Sequence, residues 1–462
     1  MGTSIRRMWA GLDWGTHSSK WWYSAETTAG RQLEPVRLPG VVDSTIYRQG
    51  DDLIVARERA RARSKSDVED PRLKRLLLTD PQGASFWDAS REGIGISLGE
   101  AATLTMACLL GDMFTYSSEQ GLSFTAATEA NLRFSLPNWI GTDSGHFAAR
   151  KRMLQAAAVS VGLIKLLGWE GLPGVGTKTP ITEWKEAVGR VRANPEVARY
   201  LSAQAPNFEN MVESEYSFNG FKWRLAAESS AAGYLPLERL LEDIPKKATA
   251  QKHWVKLLVV DVGAGSTDAG YLISSRRLDG HELLMNYLPP ARTLDYAGEK
   301  LTEMLRDFYA RERNRDLGLE EAETMKISAT ERWINEPFVQ EWRAHIAKSV
   351  ASYMYRIPDS RLGESAIPGL KIILTGGAGV VRGLDTAIKE AVTDALARRG
   401  FAGNVANRTE VVQVPVRLIP DPVDAARRAV SLGAAQAEFA QLVCRSGFTE
   451  TPKRKLGGSN WT

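Results

Sequence analysis

The sequence predicts an α/β fold with a duplicated core, and two observations lead to this prediction. Apolar runs with strand character alternate with segments whose apolar residues recur at helical spacing. Two of these strands lead into similar turns, Asp13-Trp14-Gly15-Thr16 and Asp261-Val262-Gly263-Ala264-Gly265-Ser266-Thr267-Asp268. Because a carboxylate, a glycine, a small residue and a hydroxyl recur in both turns, we expect two related strand-turn-strand units.

Composition and charge limit the class of protein. The chain has 462 residues, of which 43% are hydrophobic and 25% charged, which is typical of a globular protein with two or more domains. A net charge of +4 is small for this length, and the densest basic run, residues 57–65, contains no aromatic residue that could stack on a base. No nucleic-acid partner is indicated.

Cysteine usage and hydropathy indicate the compartment. Cys108 and Cys444 are the only cysteines, a pattern that favours a reducing environment over a disulfide framework. The first residues lack the apolar region of a secretory signal, and no apolar run reaches membrane-spanning length. We therefore expect a cytoplasmic protein without membrane association.

The first half of the chain contains alternating strand and helix patterns. Short apolar runs beside glycine or proline predict strands, and a 3.6-residue period without proline predicts helices. Residues 39–130 are less regular than the rest. The elements expected in chain order are strands over 8–12 and 20–25, a helix over 98–114, a strand over 132–136 and a helix over 147–167.

Residues 169–223 are predicted to form an inserted element. They are rich in proline and in aromatic residues, and the aromatic side chains could form either a partner-binding surface or a local core. Gly171 and Gly176 have the glycine spacing of a Walker A loop, but Thr177 separates Gly176 from Lys178, so we interpret this stretch as an ordinary loop. The aromatic residues concerned are Trp169, Trp184, Phe208, Tyr216, Phe218, Phe221 and Trp223.

The second half repeats the alternation. A buried strand precedes the Asp261 turn, and a strand with a similar apolar run precedes a third glycine turn, Thr375-Gly376-Gly377-Ala378-Gly379. The expected elements are strands over 254–260 and 269–273, helical structure over 295–355, a strand over 370–374 and helices over 384–397 and 425–442.

The glycine turns carry the main functional prediction. Glycine lets the backbone turn tightly so that its N–H groups point at a phosphate, and an aspartate at the end of the strand can hold a hydrated Mg²⁺ beside it. The three turns together therefore predict a nucleotide site.

These turns and four further segments resemble the actin, hexokinase and heat shock protein 70 superfamily of ATPases, most closely the nucleotide-binding domain of DnaK-type heat shock protein 70 chaperones. The turns are similar to the two phosphate loops and the adenosine loop. The other matching segments are Ser135-Leu136-Pro137-Asn138-Trp139 with the helix around Arg150, Glu228-Ser229-Ser230-Ala231-Ala232, Ala322-Glu323-Thr324-Met325-Lys326, and residues 422–436 with Gly433-Ala434-Ala435.

The resemblance implies an actin-like ATPase fold, with two lobes each built on a duplicated RNase H-like mixed sheet and flanking helices. Lobe I would comprise residues 1–250 and 422–446, with a small subdomain at about 39–130 and the insert at about 169–223. Lobe II would comprise 251–421, with a helical subdomain at about 296–365, and 447–462 would be a tail. Because few residues follow Leu442, we expect no peptide-binding domain of the kind that these chaperones carry.

The resemblance also implies roles for individual residues. Asp13 and Asp261 would hold Mg²⁺ mainly through water, and Glu228 or Asp261 would orient the attacking water. The phosphates would contact Gly15, Thr16, His17, Gly263, Ala264, Gly265, Ser266 and Thr267. The adenosine would contact Glu323, Lys326, Gly376, Gly377 and Ala378.

Two positions depart from the heat shock protein pattern. No lysine occurs around residues 53–61, where these chaperones place the lysine that reaches the γ-phosphate, whereas Lys20 follows Asp13 at the spacing of an actin-type phosphate lysine. We therefore expect Lys20 to be the catalytic cation. Ile327 stands where an adenine-stacking arginine is usual, so the base contact would be apolar.

Three functions follow as alternatives. The first is a slow, Mg²⁺-dependent ATPase whose lobe closure acts as a switch on a protein partner. The 169–223 insert is the candidate surface for binding that partner. The second, suggested by Lys20, is an actin-like ATPase that assembles with itself into filaments. The third is a small-molecule kinase, such as a sugar kinase, which would need a catalytic aspartate where this chain has Glu228.

Overall fold

The structure is a computed structural model of the whole chain. It describes residues 3–57, 68–70, 73–79, 85–125, 127–139, 144–202, 211, 214–218, 220–242, 253–276, 283–294, 296–327, 333–359, 362, 369–401, 405–412, 419, 421–436 and 443–444. The predicted tail at 447–462 and Phe208 of the insert lie outside these residues.

The chain divides into two compact units, each assembled from discontinuous segments. The first unit contains Met1–Ala232, Arg417–Pro420 and Arg428–Phe439. The second contains Gly233–Val416, Asp421–Arg427 and Ala440–Thr462. The lobe and subdomain limits expected from the sequence remain predictions.

The first unit is built on an eight-stranded mixed sheet. Its main path runs β11-β12-β9-β1-β2-β3, in which β1 pairs antiparallel with β2 and parallel with β9. A smaller sheet has the order β10-β6-β5-β7. The strands are β1 (Thr3–Asp13), β2 (Ser18–Thr27), β3 (Gln32–Leu33), β4 (Val42–Asp43), β5 (Ile46–Gln49), β6 (Asp52–Val55), β7 (Val68–Asp70), β8 (Leu122–Ser123), β9 (Glu129–Leu136), β10 (Thr179–Pro180), β11 (Tyr216–Phe218) and β12 (Phe221–Ala227).

The second unit is built on a six-stranded mixed sheet with the order β17-β16-β13-β14-β15-β18. Here β13 pairs antiparallel with β14 and parallel with β16. The strands are β13 (His253–Val262), β14 (Thr267–Arg276), β15 (Leu283–Leu294), β16 (Lys371–Thr375), β17 (Glu410–Val412) and β18 (Val443–Cys444).

The two sheets share one strand order. In each, an antiparallel meander (β1-β2-β3 and β13-β14-β15) is extended on the side of its first strand by two parallel strands (β9 and β12, β16 and β17). Because the hairpin that begins each meander contains a predicted phosphate turn, both turns occupy the same place in their sheets. The predicted α/β class with mixed sheets is confirmed.

Helices pack against these sheets close to the predicted positions. The first long helix extends beyond its predicted end, and it begins with a capping box in which Glu100 N–H donates to Ser97 Oγ at 3.2 Å and Ser97 N–H donates to Glu100 Oε2 at 2.7 Å. The helices are α1 (Leu73–Thr79), α2 (Ser85–Asp88), α3 (Leu98–Glu119), α4 (Ser144–Leu167), α5 (Ile181–Arg192), α6 (Pro195–Ser202), α7 (Glu228–Glu242), α8 (Gly298–Glu312), α9 (Leu319–Ile327), α10 (Pro337–Met354), α11 (Leu384–Arg398) and α12 (Pro422–Ala434).

The last helix differs from its prediction at both ends. It begins at Pro422, because proline suits the first helical turn and Asp421 Oδ1 accepts a hydrogen bond from Val423 N–H at 3.0 Å. It ends at Ala434 rather than at residue 442, and the Arg133 guanidinium donates to the Ala434 carbonyl at 2.6 Å. The predicted helix over 425–442 was therefore wrong at residues 435–436, and its remaining part, 437–442, lies outside the described residues.

The insert contributes to the core of the first unit. Its β10 pairs with β6, and Trp184 Nε1 donates to the Glu100 carbonyl at 3.1 Å. Phe218 and Trp223 are buried along with Trp184, whereas Trp169, Tyr216 and Phe221 are half-buried. The local-core alternative therefore accounts for the three buried rings, while a partner surface on the insert stays a prediction.

None of the helices in the described ranges combines the length and the apolar character needed to cross a membrane.

Candidate functional site

The first glycine turn, residues 14–17, is held by side chains and leaves its N–H groups open. Ser44 Oγ donates to the Gly15 carbonyl at 2.7 Å, and Ser44 N–H donates to the His17 carbonyl at 3.0 Å. A Cβ on Gly15 would lie 2.1 Å from the Ser18 carbonyl oxygen, so this close turn requires glycine. Gly15, Thr16 and His17 are half-exposed, and the Gly15 and Thr16 N–H groups donate to no group within the described part of the chain.

The carboxylate of Asp13 lies at the end of β1, directly before this turn. Asp13 is 7% exposed, and its Oδ2 lies 3.6 Å from Lys20 Nζ, which also donates to the Ser18 carbonyl at 3.0 Å. The two residues face each other in the β1–β2 ladder. The structure thus places the predicted catalytic cation beside the predicted metal-binding carboxylate and against the turn.

Glu228 joins the same cluster through a hydroxyl. Ser135 Oγ lies 3.2 Å from Asp13 Oδ1 and 3.0 Å from Glu228 Oε1. Lys74 Nζ donates to Glu228 Oε1 at 2.5 Å, and both side chains are almost fully buried. Buried charges are tolerated when they are paired and hydrogen-bonded, and this cluster satisfies that condition with Lys74 and Ser135.

The second glycine turn, residues 263–266, has the same character. Gly263, Ala264, Gly265 and Ser266 are half-exposed, and no hydrogen bond within the described ranges uses the N–H of Ala264 or Gly265. The first N–H groups of α8 donate to the carbonyls of this turn, from Gly298 to Gly263 at 3.0 Å and from Glu299 to Ala264 at 2.7 Å. With its carbonyls occupied by the helix, the turn presents its N–H groups to a ligand.

The residue opposite Asp261 has a different role from Lys20. Asp261 pairs with Asp268 across the β13–β14 ladder, where the first unit pairs Asp13 with Lys20. Asp268 is 1% exposed, and its two carboxylate oxygens accept hydrogen bonds from Ser266 Oγ at 3.0 Å and Thr293 Oγ1 at 2.6 Å. Asp268 therefore fixes the second turn, and the position that faces Asp261 carries a carboxylate where the position that faces Asp13 carries an ammonium group.

The third turn packs directly on Asp261. A Cβ on Gly376 would lie 2.4 Å from both Asp261 Oδ1 and the Val262 carbonyl oxygen, and Gly376 has a φ of +82°. Both conditions exclude an L side chain. Ala378 N–H donates to the Val262 carbonyl at 2.9 Å, which holds the predicted adenosine loop against the end of β13. Gly377 is exposed at the outside of this turn.

The predicted Glu323–Lys326 pair lies beside the same turns. Lys326 Nζ donates to Glu323 Oε2 at 2.7 Å and to the Gly298 carbonyl at 3.1 Å, and Thr302 Oγ1 donates to Glu323 Oε2 at 2.6 Å. Burial lowers the pKa of Lys326. A Cβ on Gly298 would lie 3.1 Å from Ala378 Cβ and 3.4 Å from Lys326 Nζ, so the two turns and the Glu323–Lys326 pair converge at Gly298.

Each unit therefore gathers the predicted residues that it contains. The first unit brings together Asp13, Lys20, Glu228 and the first turn. The second unit brings together Asp261, the second and third turns, Glu323 and Lys326; Thr267 is buried there, and its Oγ1 donates to the Tyr296 carbonyl at 2.8 Å. The roles assigned to these residues stay predictions.

Several site residues were missed from the sequence. Lys74 was missed because it lies outside residues 53–61, and its neighbours Leu73 and Arg75 do not distinguish it from an ordinary exposed lysine. Ser135 belongs to a segment that resembles a known family, but its contacts with Asp13 and Glu228 depend on the β1–β9 pairing, which the sequence alone does not show. No sequence pattern marks Gly298 as a site residue, because its contacts with Gly263 and Ala378 arise only when the second and third turns pack together in the folded chain.

The donor set fits a phosphate with a hydrated Mg²⁺. In each unit, a half-exposed glycine turn offers N–H groups, and one buried aspartate, Asp13 or Asp261, offers the oxygen ligands that Mg²⁺ prefers. Among the side chains that the structure describes, no group of three or more His, Cys, Asp or Glu could hold a metal ion. One or two carboxylates with phosphate and water are the usual Mg²⁺ ligands.

No model of a known protein family matches this chain. None of the curated proteins compared with it is significantly similar in sequence.

Proposed function

We propose that the chain is a Mg²⁺-dependent ATPase with an actin-like fold, of the type found in the nucleotide-binding domain of heat shock protein 70. One observation carries the proposal. Two sheets of the same strand order each place a buried aspartate in the last two residues of the first strand, Asp13 or Asp261, next to a half-exposed glycine turn with open N–H groups.

This arrangement supports ATP as the ligand because each half supplies what a polyphosphate needs. The open N–H groups of Gly15, Thr16, Ala264 and Gly265 would bind phosphate oxygens. Asp13 and Asp261 would hold Mg²⁺ through its waters, and Mg²⁺ would neutralise charge on the phosphates. The third turn, together with the Glu323–Lys326 pair that packs near it, would bind the adenosine.

The side chains of the first unit suit hydrolysis. Lys20 lies against the first turn and would offset charge on the transferred phosphoryl group. Glu228, which Lys74 and Ser135 hold in place, would orient the attacking water. Such catalysis consists of positioning and electrostatics, so we expect slow turnover, with lobe closure as the useful output on a protein partner.

Lys74 favours the heat shock protein type over the actin type. Those chaperones use a lysine from the first lobe near the γ-phosphate, and Lys74 supplies a buried ammonium that contacts Glu228. Lys20 alone had suggested an actin-like filament protein. With both lysines in one cluster, a switch ATPase that acts on a protein partner explains more of the site than a filament protein does.

The experiment measures ATP hydrolysis and ATP binding in the wild-type chain and in Asp13→Ala, Asp261→Ala and Lys20→Ala variants. Each variant should lose at least about two orders of magnitude in turnover, since positioned charges of this kind carry most of the catalysis. Asp316→Asn is the matched control, because Asp316 is exposed and should change nothing. Wild-type turnover in Asp261→Ala would refute the site.

Two further measurements test the competing functions. Sedimentation with and without ATP detects assembly, and a pellet that forms only with ATP would replace the switch by a filament function. A screen for phosphate transfer to sugars tests the kinase alternative, and transfer to any of them would refute hydrolysis as the main reaction.

A further inference from the structure

Both aspartates have a hydroxyl residue beside them on the neighbouring parallel strand. In the second unit, Asp261 on β13 is the register partner of Thr375 on β16. In the first unit, Leu12 on β1 is the partner of Phe134 on β9, so the next residues, Asp13 and Ser135, stand at the same level. Register partners on parallel strands project from the same face of a sheet, so each hydroxyl is the lateral neighbour of its carboxylate.

Both hydroxyl residues are buried, and their hydrogen bonding differs. Ser135 is 1% exposed and contacts Asp13 Oδ1 at 3.2 Å and Glu228 Oε1 at 3.0 Å. Thr375 is 0% exposed, and its Oγ1 has no hydrogen-bond partner among the described residues. In the first unit the hydroxyl contacts the aspartate carboxylate. In the second unit a hydroxyl residue occupies the same position but makes no such contact.

An unpartnered buried hydroxyl is unfavourable, so its presence needs an explanation. Valine would fill the volume of Thr375 without the cost of an unsatisfied polar group, and the preceding residues of β16, Ile372, Ile373 and Leu374, are apolar. Parallel strands lie about 4.8 Å apart, which places the Thr375 hydroxyl within reach of Asp261 after rotation of either side chain. The hydroxyl is therefore suited to a carboxylate that changes its orientation when a ligand binds.

We propose that Ser135 and Thr375 are matched positioning residues, which orient the carboxylates of Asp13 and Asp261 toward a hydrated Mg²⁺. This inference rests on the proposed ATPase function and adds two residues to it. A hydroxyl has one proton and donates it to one acceptor at a time. Ser135 can therefore donate to Asp13 or to Glu228, whereas Thr375 serves Asp261.

This difference predicts separate kinetic effects. Ser135→Ala removes the donor to both carboxylates, so it should raise the Mg²⁺ concentration at half-saturation and also lower kcat. Thr375→Val removes only the hydroxyl at Asp261, so it should raise the Mg²⁺ midpoint and leave kcat at saturating Mg²⁺ within about twofold of wild type. Loss of such an outer hydrogen bond costs about 10- to 100-fold in metal affinity.

The test measures ATP binding by calorimetry over a series of Mg²⁺ concentrations, ATP turnover at saturating Mg²⁺, and unfolding by urea without nucleotide. Ser135→Thr and Thr375→Ser keep the hydroxyl and should restore the wild-type midpoints. Thr103→Val is the matched control, because Thr103 on α3 is also 0% exposed and its Oγ1 has no partner in the described part of the chain. It should leave the Mg²⁺ midpoint unchanged.

The outcomes separate this inference from the proposed function. If the wild-type chain binds no ATP at any Mg²⁺ concentration, the ATPase proposal fails. If it binds ATP with Mg²⁺ and either Ser135→Ala or Thr375→Val has a wild-type midpoint, the matched role is wrong. It is also wrong if Thr375→Val lowers the urea midpoint, since a merely structural hydroxyl would do so and a positioning hydroxyl without a partner would not.

Discussion

Replacing Lys74 with methionine removes the ammonium group that contacts Glu228 and keeps an unbranched side chain. In the wild-type chain the Lys74 side chain is 7% exposed and that of Glu228 is 6% exposed, and the bond between them is 2.5 Å. Removing one partner of a buried ion pair leaves the other charge uncompensated, which costs about 3–5 kcal/mol. Because Ser135 still contacts Glu228, we expect a loss near the lower limit, about 3 kcal/mol.

Glu228→Gln provides the matched second change, since it removes the charge and keeps the shape. In the double variant no charge is left buried without a partner, so it should be less destabilised than Lys74→Met alone. We expect a coupling free energy of about 2 kcal/mol, within the range found for contacting residues. The coupling measures the pair itself, apart from any effect of either residue on ATP turnover.

Urea unfolding without nucleotide, followed by hydrogen exchange of peptides from β9 and β12, measures the stability of the first unit in all four proteins. Exchange is the appropriate probe because it separates this unit from the second one. Thr103→Val serves as a control for loss of a buried polar group elsewhere in the same unit. If the two single changes add to the double change within about 0.5 kcal/mol, Lys74 and Glu228 do not form a stabilising pair and the reasoning fails.

Two further predictions concern single positions. Gly376→Ala would force an L side chain into a φ of +82° and against Asp261 Oδ1 and the Val262 carbonyl oxygen. The free energy of unfolding of the second unit should therefore fall by about 2 kcal/mol or more, and its melting temperature by roughly 4–8 °C. Gly377→Ala is the control and should change the melting temperature little, because a Cβ there would meet nothing within 4 Å. Equal shifts in the two variants would contradict the close packing of Gly376 against Asp261. Burial raises the pKa of Tyr23 to about 12. The folded chain therefore keeps the phenol proton of Tyr23 at a pH where the unfolded chain, with a tyrosine pKa near 10, loses it. The free energy of unfolding that this difference contributes is fully present below pH 10 and is lost between pH 10 and about 12. Tyr23→Phe should therefore flatten the fall in the urea midpoint between pH 9.5 and 11.5, and parallel curves for the two proteins would refute the assignment.

The local part of the fold could be predicted from the sequence because the signals there are local. The hairpins around Asp13 and Asp261 were recognisable from an apolar run, a glycine turn and a second apolar run, and α3 from its helical period. β15 was missed because Pro289 and Pro290 argue against a strand. Both prolines lie between Leu288 and Arg292, the partners of Tyr271 and Ala269, where the register between β14 and β15 shifts. Prolines are tolerated within a strand at such an irregularity.

The site could be predicted only where its residues lie on the turns themselves. Asp13 and Lys20 face each other across one hairpin, so the spacing along the chain is enough to bring them together. Lys74 and Glu228 are 154 residues apart, and their contact follows from the packing of a helix near the end of β12. A pairing of this kind has no periodic signal in the sequence, and neither has the approach of Ala378 to Gly298.

The order of the segments has a consequence for synthesis of the chain on the ribosome. The C-terminal half of α12 belongs to the first unit, where a Cβ on Gly11 would lie 2.2 Å from the Ser431 carbonyl oxygen and Arg133 donates to the Ala434 carbonyl. The N-terminal sheet must therefore wait for these residues, which are made only after nearly 200 further residues, or about 10–40 s at 5–20 residues per second. During that interval the face of β1 around Gly11 lacks the residues that pack on it in the folded chain.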